Sequence, residues 1–407
     1  MERLEKKLGF GTMRLPLTNP DDPTSIDLEQ FKKMADEFLA KGFIYFDTAY
    51  PYHGEKSEEA VREAVVRRHP RESFYLADKM PVYKIRSAEE YETTFAEQLA
   101  RCGVDYFDFY LLHNMGKDRY PDTEKFGGFD FIRRKKEEGK IRHIGFSFHD
   151  DAATLDLILT DHPEVEFVQL QINYLDWESA VTQSRLCYET ASRHGKKVIV
   201  MEPVKGGRLA NLPDEAALAF DEFYRNALET AAATAPVSSP ESAGSAAPKA
   251  PVSSPESAAP ALPTPASLAV RYAASLENVM VVLSGMSNEA QLLDNTSYMQ
   301  DFKPLSAEET ALTERIAGII NRATKVPCTS CRYCMEVCPK NINIPAYFGL
   351  LNLHAVTGNK TQMYYNRSIL GHGKASECLH CGLCEKNCPQ HIHIRDFLEE
   401  FATLYEQ

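Results

Sequence analysis

Nowhere in its 407 residues does the chain carry an apolar run approaching the length of a membrane span. Its start, MERLEKKLGF, is polar where a secretory signal would have an apolar core. A membrane protein is therefore not expected, and a cytoplasmic one is. Basic residues are also in short supply: 45 Lys and Arg stand against 58 Asp and Glu, a net charge of -13. Without a basic surplus to neutralise phosphates, nucleic acid is excluded as an expected partner. Cysteine is nearly missing from most of the chain. Only Cys102 and Cys187 precede position 328, while the other eight of the ten lie after position 327. Scattered disulfides do not fit that distribution, whereas a separate metal-binding module does. The rest is ordinary: 43% hydrophobic and 25% charged residues exclude wholesale disorder.

Up to residue 232, short runs rich in Val, Ile, Phe, Tyr and Leu alternate with amphipathic stretches. The runs are 8–11, 43–46, 74–79, 107–113, 143–147, 167–171 and 197–201, with an eighth at 279–283. The helical patterns include 28–41, 57–68, 88–101 and 179–194. Strand–helix alternation predicts a parallel sheet with helices outside it. Eight such units in about 250 residues match an α/β (β/α)₈ TIM barrel. An open doubly wound sheet is the alternative.

Residues 233–265 interrupt the pattern. APVSSPESA occurs there twice, in a stretch that is almost entirely Ala, Pro, Ser and Glu. Such a composition cannot bury a core, and repeated Pro removes backbone donors. It reads as a low-complexity insertion inside a barrel domain spanning 1–322, because the run at 279–283 is still needed to close the sheet. Residues 306–322 read as a helix capped by Ser306, with Glu309 completing a capping box.

The remainder, 323–407, contains Cys328-x₂-Cys331-x₂-Cys334-x₃-Cys338-Pro339 and then Cys378-x₂-Cys381-x₂-Cys384-x₃-Cys388-Pro389. This is the bacterial ferredoxin spacing twice over, in which the fourth Cys serves the other cluster. One [4Fe–4S] cluster is thus expected on Cys328, Cys331, Cys334 and Cys388, and a second on Cys378, Cys381, Cys384 and Cys338. Two zinc sites are the alternative, but zinc needs no trailing Cys-Pro. Helix-like stretches at 345–355 and 360–369 predict a small, mainly helical domain. Matching phrases, Ile342-Asn-Ile344 and Ile392-His-Ile394, mark an internal duplication with an Ile pair over each cluster. His380, His391 and His393 are not needed as ligands, and Cys102 and Cys187 read as packed thiols.

Four polar residues sit where the β-like runs end: Asp47, Tyr52 five residues on, Lys79 and His113. In a (β/α)₈ barrel those ends converge on one face. An ammonium beside a phenol lowers its pKa, a carboxylate holds the ammonium, and a His steers a carbonyl, which together make a proton donor. Taken singly, each has an ordinary reading: loop aromatic, solvated charge, core histidine.

These phrases, FDTAY with its second Tyr, DK and LLH, resemble the aldo-keto reductase superfamily and its Asp–Tyr–Lys–His tetrad. Gly145-Phe146-Ser147 resembles that family's G-V-S signature, and Gln171 its contact to the nicotinamide amide. The segment Gly285-Met-Ser287-Asn-Glu-Ala-Gln291-Leu-Leu-Asp-Asn295 resembles its last-strand cofactor motif. With the tail, the chain resembles the subgroup bearing a dicluster ferredoxin domain. The resemblance implies NAD(P)H-dependent reduction of a small-molecule carbonyl, with proton donation by Tyr52. It also implies cofactor contacts from Ser147, Gln171, Gly285, Ser287, Gln291 and Asn295.

Three positions depart from the family. Met201-Glu202-Pro203-Val204 stands where a ring usually stacks on the nicotinamide, Phe148-His149 where Asn is usual, and Gln291 where NADP-preferring relatives carry a basic residue. They leave open NAD against NADP and leave room for a flavin. Hydride transfer moves two electrons together, whereas a [4Fe–4S] centre passes one. The clusters are therefore expected to exchange electrons with a flavin or a redox partner protein. A second reading is an electron-transfer or redox-sensing protein on a vestigial barrel.

Overall fold

Alternation along short parallel strands decides how this chain closes and what fills it. The computed structural model describes residues 4–179, 182–234, 263–357 and 362–406. Eight strands form a closed parallel barrel: β1 Leu8–Gly11, β2 Tyr45–Asp47, β3 Tyr75–Met80, β4 Phe107–Met115, β5 Ile141–Phe148, β6 Phe167–Gln171, β7 Lys197–Met201 and β8 Val279–Ser284. β8 closes onto β1 through Leu8↔Val282 and Phe10↔Ser284, so the open-sheet alternative is wrong. Inward-facing Tyr45, Phe109, Phe167, Ile199 and Val281 fill the barrel as one cluster. Outward-facing residues such as Phe46, Leu76, Tyr110 and Val198 pack under the helices in a larger one. Where rings fill the interior, β5 carries Gly145: a Cβ there would lie 2.5 Å from the Phe167 carbonyl oxygen.

Two helical expectations shift. The stretch 57–68 is an α-helical turn, Ser57–Val61, followed by a π-helical turn, Arg62–Val66. The helix expected from 179 begins only at Ser184, because Gln183 has φ of 50° and breaks the run. The helix Ala307–Ala323 has the expected Ser306–Glu309 capping box. The insertion expected at 233–265 lies between the helices Asp214–Thr234 and Pro265–Ser275, and residues 235–262 fall outside the described residues.

At the base of the barrel, Asp108 on β4 is fully buried and accepts from Leu76 N–H (2.9 Å), Arg71 Nη2 (2.6 Å) and Arg142 Nη1 (2.9 Å). Removing one partner of a buried ion pair costs about 3–5 kcal/mol. Asp108→Ala is therefore expected to lower unfolding free energy by about 3 kcal/mol or more. Urea denaturation would measure it, and a loss below about 1 kcal/mol would mean that water already serves these groups.

The tail is helical, as expected, and is built on Ile344–Thr357 and Ile394–Tyr405, with a stretch Gln362–Ser368 between them. Its own core contains Tyr347, Phe348, Leu398 and Phe401, with Tyr347 and Phe401 stacked at 4.6 Å. The duplication is visible in the backbone. Ser330 and His380, Arg332 and Gly382, and Asn341 and His391 all have positive φ, at matching places in the two halves. Such left-handed residues turn successive N–H groups toward a common centre, a geometry that favours anions. Among the described residues, no helix is long and apolar enough to cross a membrane.

Candidate active site

The ends of β2, β3 and β4 bring three of the four predicted polar residues to one mouth, and the loop after β2 folds back to add the fourth. Lys79 is fully buried and its Nζ donates to Asp47 Oδ1 (2.6 Å), the Thr48 carbonyl (2.7 Å) and the Tyr52 oxygen (3.4 Å). The His113 ring meets Tyr52 edge-on at 6.1 Å. The loop carrying Tyr52 is anchored from below: Thr12 and Thr48 both bond the Ser57 hydroxyl, at 2.7 and 2.9 Å.

The electrostatics differ in one respect from expectation. Burial, reinforced by the Asp47 charge, pushes the Tyr52 phenol well above its ordinary value, where the Lys79 ammonium was expected to lower it. Desolvating a phenolate outweighs one ammonium that is shared with a carboxylate. The phenol is thus firmly protonated. Burial raises the Asp47 carboxyl too, against the pull of Lys79. Burial and the neighbouring Lys79 hold His113 well below its ordinary value, so it is neutral.

Above these groups opens a cavity of about 380 Å³. Asp47, Tyr52, His113 and Ser147 form its floor. Gly285, Ser287, Gln291 and Asn295 line its far end, joined by Arg14. There the Ser287 N–H bonds the Gln291 side chain (2.8 Å), and Asn295 bonds the Ser284 hydroxyl (2.6 Å). Lys79 lies beneath the floor rather than in it. Gln171 is not on the wall: its amide bonds Asp176 (2.8 Å) and Gln390 of the tail (3.0 Å). Gln169, two residues earlier on β6, lines the cavity instead, with a buried, unpartnered Oε1. Side chains two apart share a strand face, so the periodicity alone allowed either.

Sequence reasoning noted Glu202 and His149 only as departures from the family and gave the tail no part in the cavity. Glu202 has φ of 55°, lines the cavity, and leaves Oε2 buried without a partner. Burial, opposed by Lys205, pushes its carboxyl up to about 7. Burial takes His149 down to about 3. Cys331, Tyr333 and Pro389 of the tail close one side of the cavity. Nothing in the local pattern signalled this, because docking depends on contacts far apart in the chain. Gln390 and Gln171 exchange amide bonds (2.8 and 3.0 Å), Lys205 Nζ reaches Gln390 (3.3 Å), and His391 Nε2 donates to the His149 carbonyl (2.6 Å). Gly206, with φ of 64°, lies so close that a Cβ would sit 2.2 Å from the Thr329 carbonyl oxygen.

Gln390→Leu should therefore leave the Gln171 amide short of a partner at a cost of about 1–3 kcal/mol. Hydrogen exchange at 388–392 would rise while the barrel strands stay protected. Unchanged exchange there would show that the other contacts hold the tail by themselves.

The tail cysteines surround two small cavities. Cys328, Cys331, Cys334 and Cys388 line one, and Cys338, Cys378, Cys381 and Cys384 line the other. This is the crossed grouping. Ile392 and Ile394 line the first cavity together with Cys388, Ile342 lines the second together with Cys338, and Ile344 touches both. All eight thiols are free of disulfides. Among the described residues, the only three metal-binding side chains with ligand atoms mutually within 4.8 Å are Glu58, Asp78 and Cys102. Tetrahedral zinc, with Zn–S near 2.3 Å, holds its sulfurs about 3.8 Å apart. Neither quartet brings three sulfurs within 4.8 Å of one another, and four thiols around one cavity are the donor set of a [4Fe–4S] cube. Burial pushes the Cys331 thiol up to about 12, so its thiolate needs a bound cation.

A sequence model described as "Aldo/keto reductase family" matches residues 7–317, and one described as "4Fe-4S dicluster domain" matches 327–392. Curated relatives include a 9,11-endoperoxide prostaglandin H2 reductase of Trypanosoma cruzi, 28% identical over 43% of this chain and 56% of its own length. A glyoxal reductase of Bacillus subtilis is 29% identical over 42% of this chain and 57% of its own. The chain thus spans little more than half the length of these relatives. Similar solved structures include an aldo-keto reductase of Bacillus halodurans in its holo form (TM-score 0.53, 21% identity, 78% of this chain and 95% of that one). Another is a Klebsiella pneumoniae aldo/keto reductase in complex with NADP and acetate (TM-score 0.53, 18% identity, 76% and 91%). At these identities the structures speak for the fold alone. The fold and the family match agree: this chain belongs to the aldo/keto reductase family and carries a 4Fe-4S dicluster domain behind its barrel.

Proposed function

We propose that the protein reduces the carbonyl of a small molecule to an alcohol with NAD(P)H. The observation that carries this reading is the buried Lys79 bonded to both Asp47 and Tyr52. A bound nicotinamide would supply the hydride. Tyr52, kept protonated by burial, gives its proton to the substrate oxygen, and Lys79 stabilises the phenolate left behind. Asp47 fixes the ammonium on the phenol side. Neutral His113 offers a ring N–H to the same oxygen and so steadies the negative charge that develops there. Ser147 and Gln169, with its unpartnered Oε1, suit a carboxamide. Gly285, Ser287, Gln291, Asn295 and the Arg14 guanidinium suit a phosphate-bearing end, and Arg14 supplies the positive charge that Gln291 lacks. The tail wall at Cys331, Tyr333 and Pro389 excludes water. The Bacillus subtilis relative's name, glyoxal reductase, supports a small aldehyde as substrate class.

The two cysteine quartets would hold two [4Fe–4S] clusters, which supply one-electron chemistry when present. Cys331 lines both the first cluster cavity and the Tyr52 cavity. That shared wall favours electron exchange over a purely structural role.

Anaerobically purified, iron-loaded protein should oxidise NADPH or NADH in the presence of glyoxal or another small aldehyde and form the alcohol. Iron-dependent electron transfer to a dye, without any aldehyde-dependent oxidation of either nucleotide, would instead favour the electron-transfer reading.

A further inference from the structure

Three residues of the helix Glu289–Gln300 line the cavity over Tyr52: Gln291, Asp294 and Asn295. Spaced i, i+3 and i+4, they share one helix face. Two of the three are engaged within the protein. Gln291 Oε1 accepts from the Ser287 N–H (2.8 Å). Asn295 donates to the Ser284 hydroxyl (2.6 Å) and accepts from the Tyr298 hydroxyl (2.6 Å). Asp294 is different. Its two oxygens share one hydroxyl proton, that of Thr264 (3.1 and 3.0 Å). Thr264 is itself fixed as the cap of the helix Pro265–Ser275, where it accepts from the Ser267 N–H (3.1 Å). A carboxylate offers about four lone-pair sites. Asp294 is therefore held in place by Thr264 and keeps acceptor capacity, and it is partly exposed where it lines the cavity.

Charge decides what that acceptor can take. Burial raises the Asp294 carboxyl from its ordinary value and the Thr264 bond opposes the rise, with no cation taking part. Among the described residues that line the cavity, Arg14 is the one Lys or Arg. Its Nη2 donates to the Thr329 carbonyl of the tail (3.3 Å), and its charge bears on the Glu202 carboxyl rather than on Asp294. NAD and NADP differ at one position, where NAD has a free ribose 2′-hydroxyl and NADP a phosphate. A carboxylate accepts from the neighbouring hydroxyls of a ribose. A 2′-phosphate set against it would bring like charges together with no cation between them. We propose that Asp294 binds the adenosine ribose and makes the protein selective for NAD(H) over NADP(H). This rests on the reading of the cavity as a nicotinamide nucleotide site and names the nucleotide. Arg14, on the tail side, serves phosphates that both nucleotides carry.

Iron-loaded, full-length protein is dialysed to equilibrium, anaerobically and without aldehyde, against NADH and separately against NADPH, so that binding is read without turnover. NADH is expected to bind at least about tenfold more tightly. Asp294→Asn keeps the shape of the side chain and an oxygen for the Thr264 hydroxyl, and it removes the charge. The variant should bind NADH more weakly and NADPH more tightly, bringing the two within about threefold of each other. A side chain that merely supported its helix would lower both affinities by the same factor, and that result overturns the proposal. So does NADPH binding as tightly as NADH to the unaltered protein, a comparison that stands even if the variant folds poorly. That second result would leave the nucleotide site itself intact. Failure of both nucleotides to bind would overturn the selectivity together with the site.

Discussion

Tyr52→Phe is expected to cut aldehyde turnover by about 10²–10⁴-fold while nicotinamide affinity stays within about twofold. The phenylalanine ring keeps the shape that packs against His113 and removes one atom, the oxygen 3.4 Å from Lys79 Nζ. No other group on the floor replaces it as an acid. His113 is held neutral and Lys79 is spent on Asp47 and the Thr48 carbonyl. Changing Lys79 itself is less clean, because Lys79→Met strands a buried carboxylate and costs about 3–5 kcal/mol of stability. The measurement is kcat/KM with a small aldehyde beside the dissociation constant for NADP. A loss under tenfold would show that the proton comes from elsewhere, Glu202 being the nearest alternative acid on the wall.

The second large effect concerns iron. The crossed quartets predict that Cys328→Ala combined with Cys388→Ala removes one cluster and leaves the other, so about four of eight irons remain per chain and visible absorbance falls by about half. Both residues line the same cavity. Cys328→Ala combined with Cys338→Ala should strip both clusters, because these residues line different cavities. If each run held its own cluster, the two results would be exchanged. Iron and sulfide analysis of the two double variants therefore decides the pairing without reference to activity. Because Cys331 and Pro389 also wall the Tyr52 cavity, loss of the first cluster should raise KM for the aldehyde, whereas loss of the second alone should leave it nearly unchanged.

The barrel was legible because period-two runs and amphipathic stretches are local signals, and even β8, beyond the insertion, could be placed by the need to close the sheet. The cysteine quartets were legible because ligand spacing is written along the chain. Tyr52, Lys79 and Asp47 were found for a related reason: strand ends in a barrel converge wherever the strands are found. What failed was anything that depended on how side chains turn or on distant docking. Gln171 and Gln169 share a strand face, and only the presence of Gln390 shows which of them is turned away from the cavity. The high pKa of Tyr52 follows from the depth of its burial, which a residue order does not state. Glu202 was noticed as the absence of a ring, and its role as a buried acid beneath the tail became visible only with the tail in place.

The crossing of the fourth cysteines also sets an order of manufacture. A ribosome completes the barrel long before it reaches Cys388, and domains made first fold first. Until Cys388 is polymerised, the first cysteine cavity lacks one of its four thiols. A chain whose tail has yet to be made therefore has the Tyr52 cavity open on the side that Cys331, Tyr333 and Pro389 close.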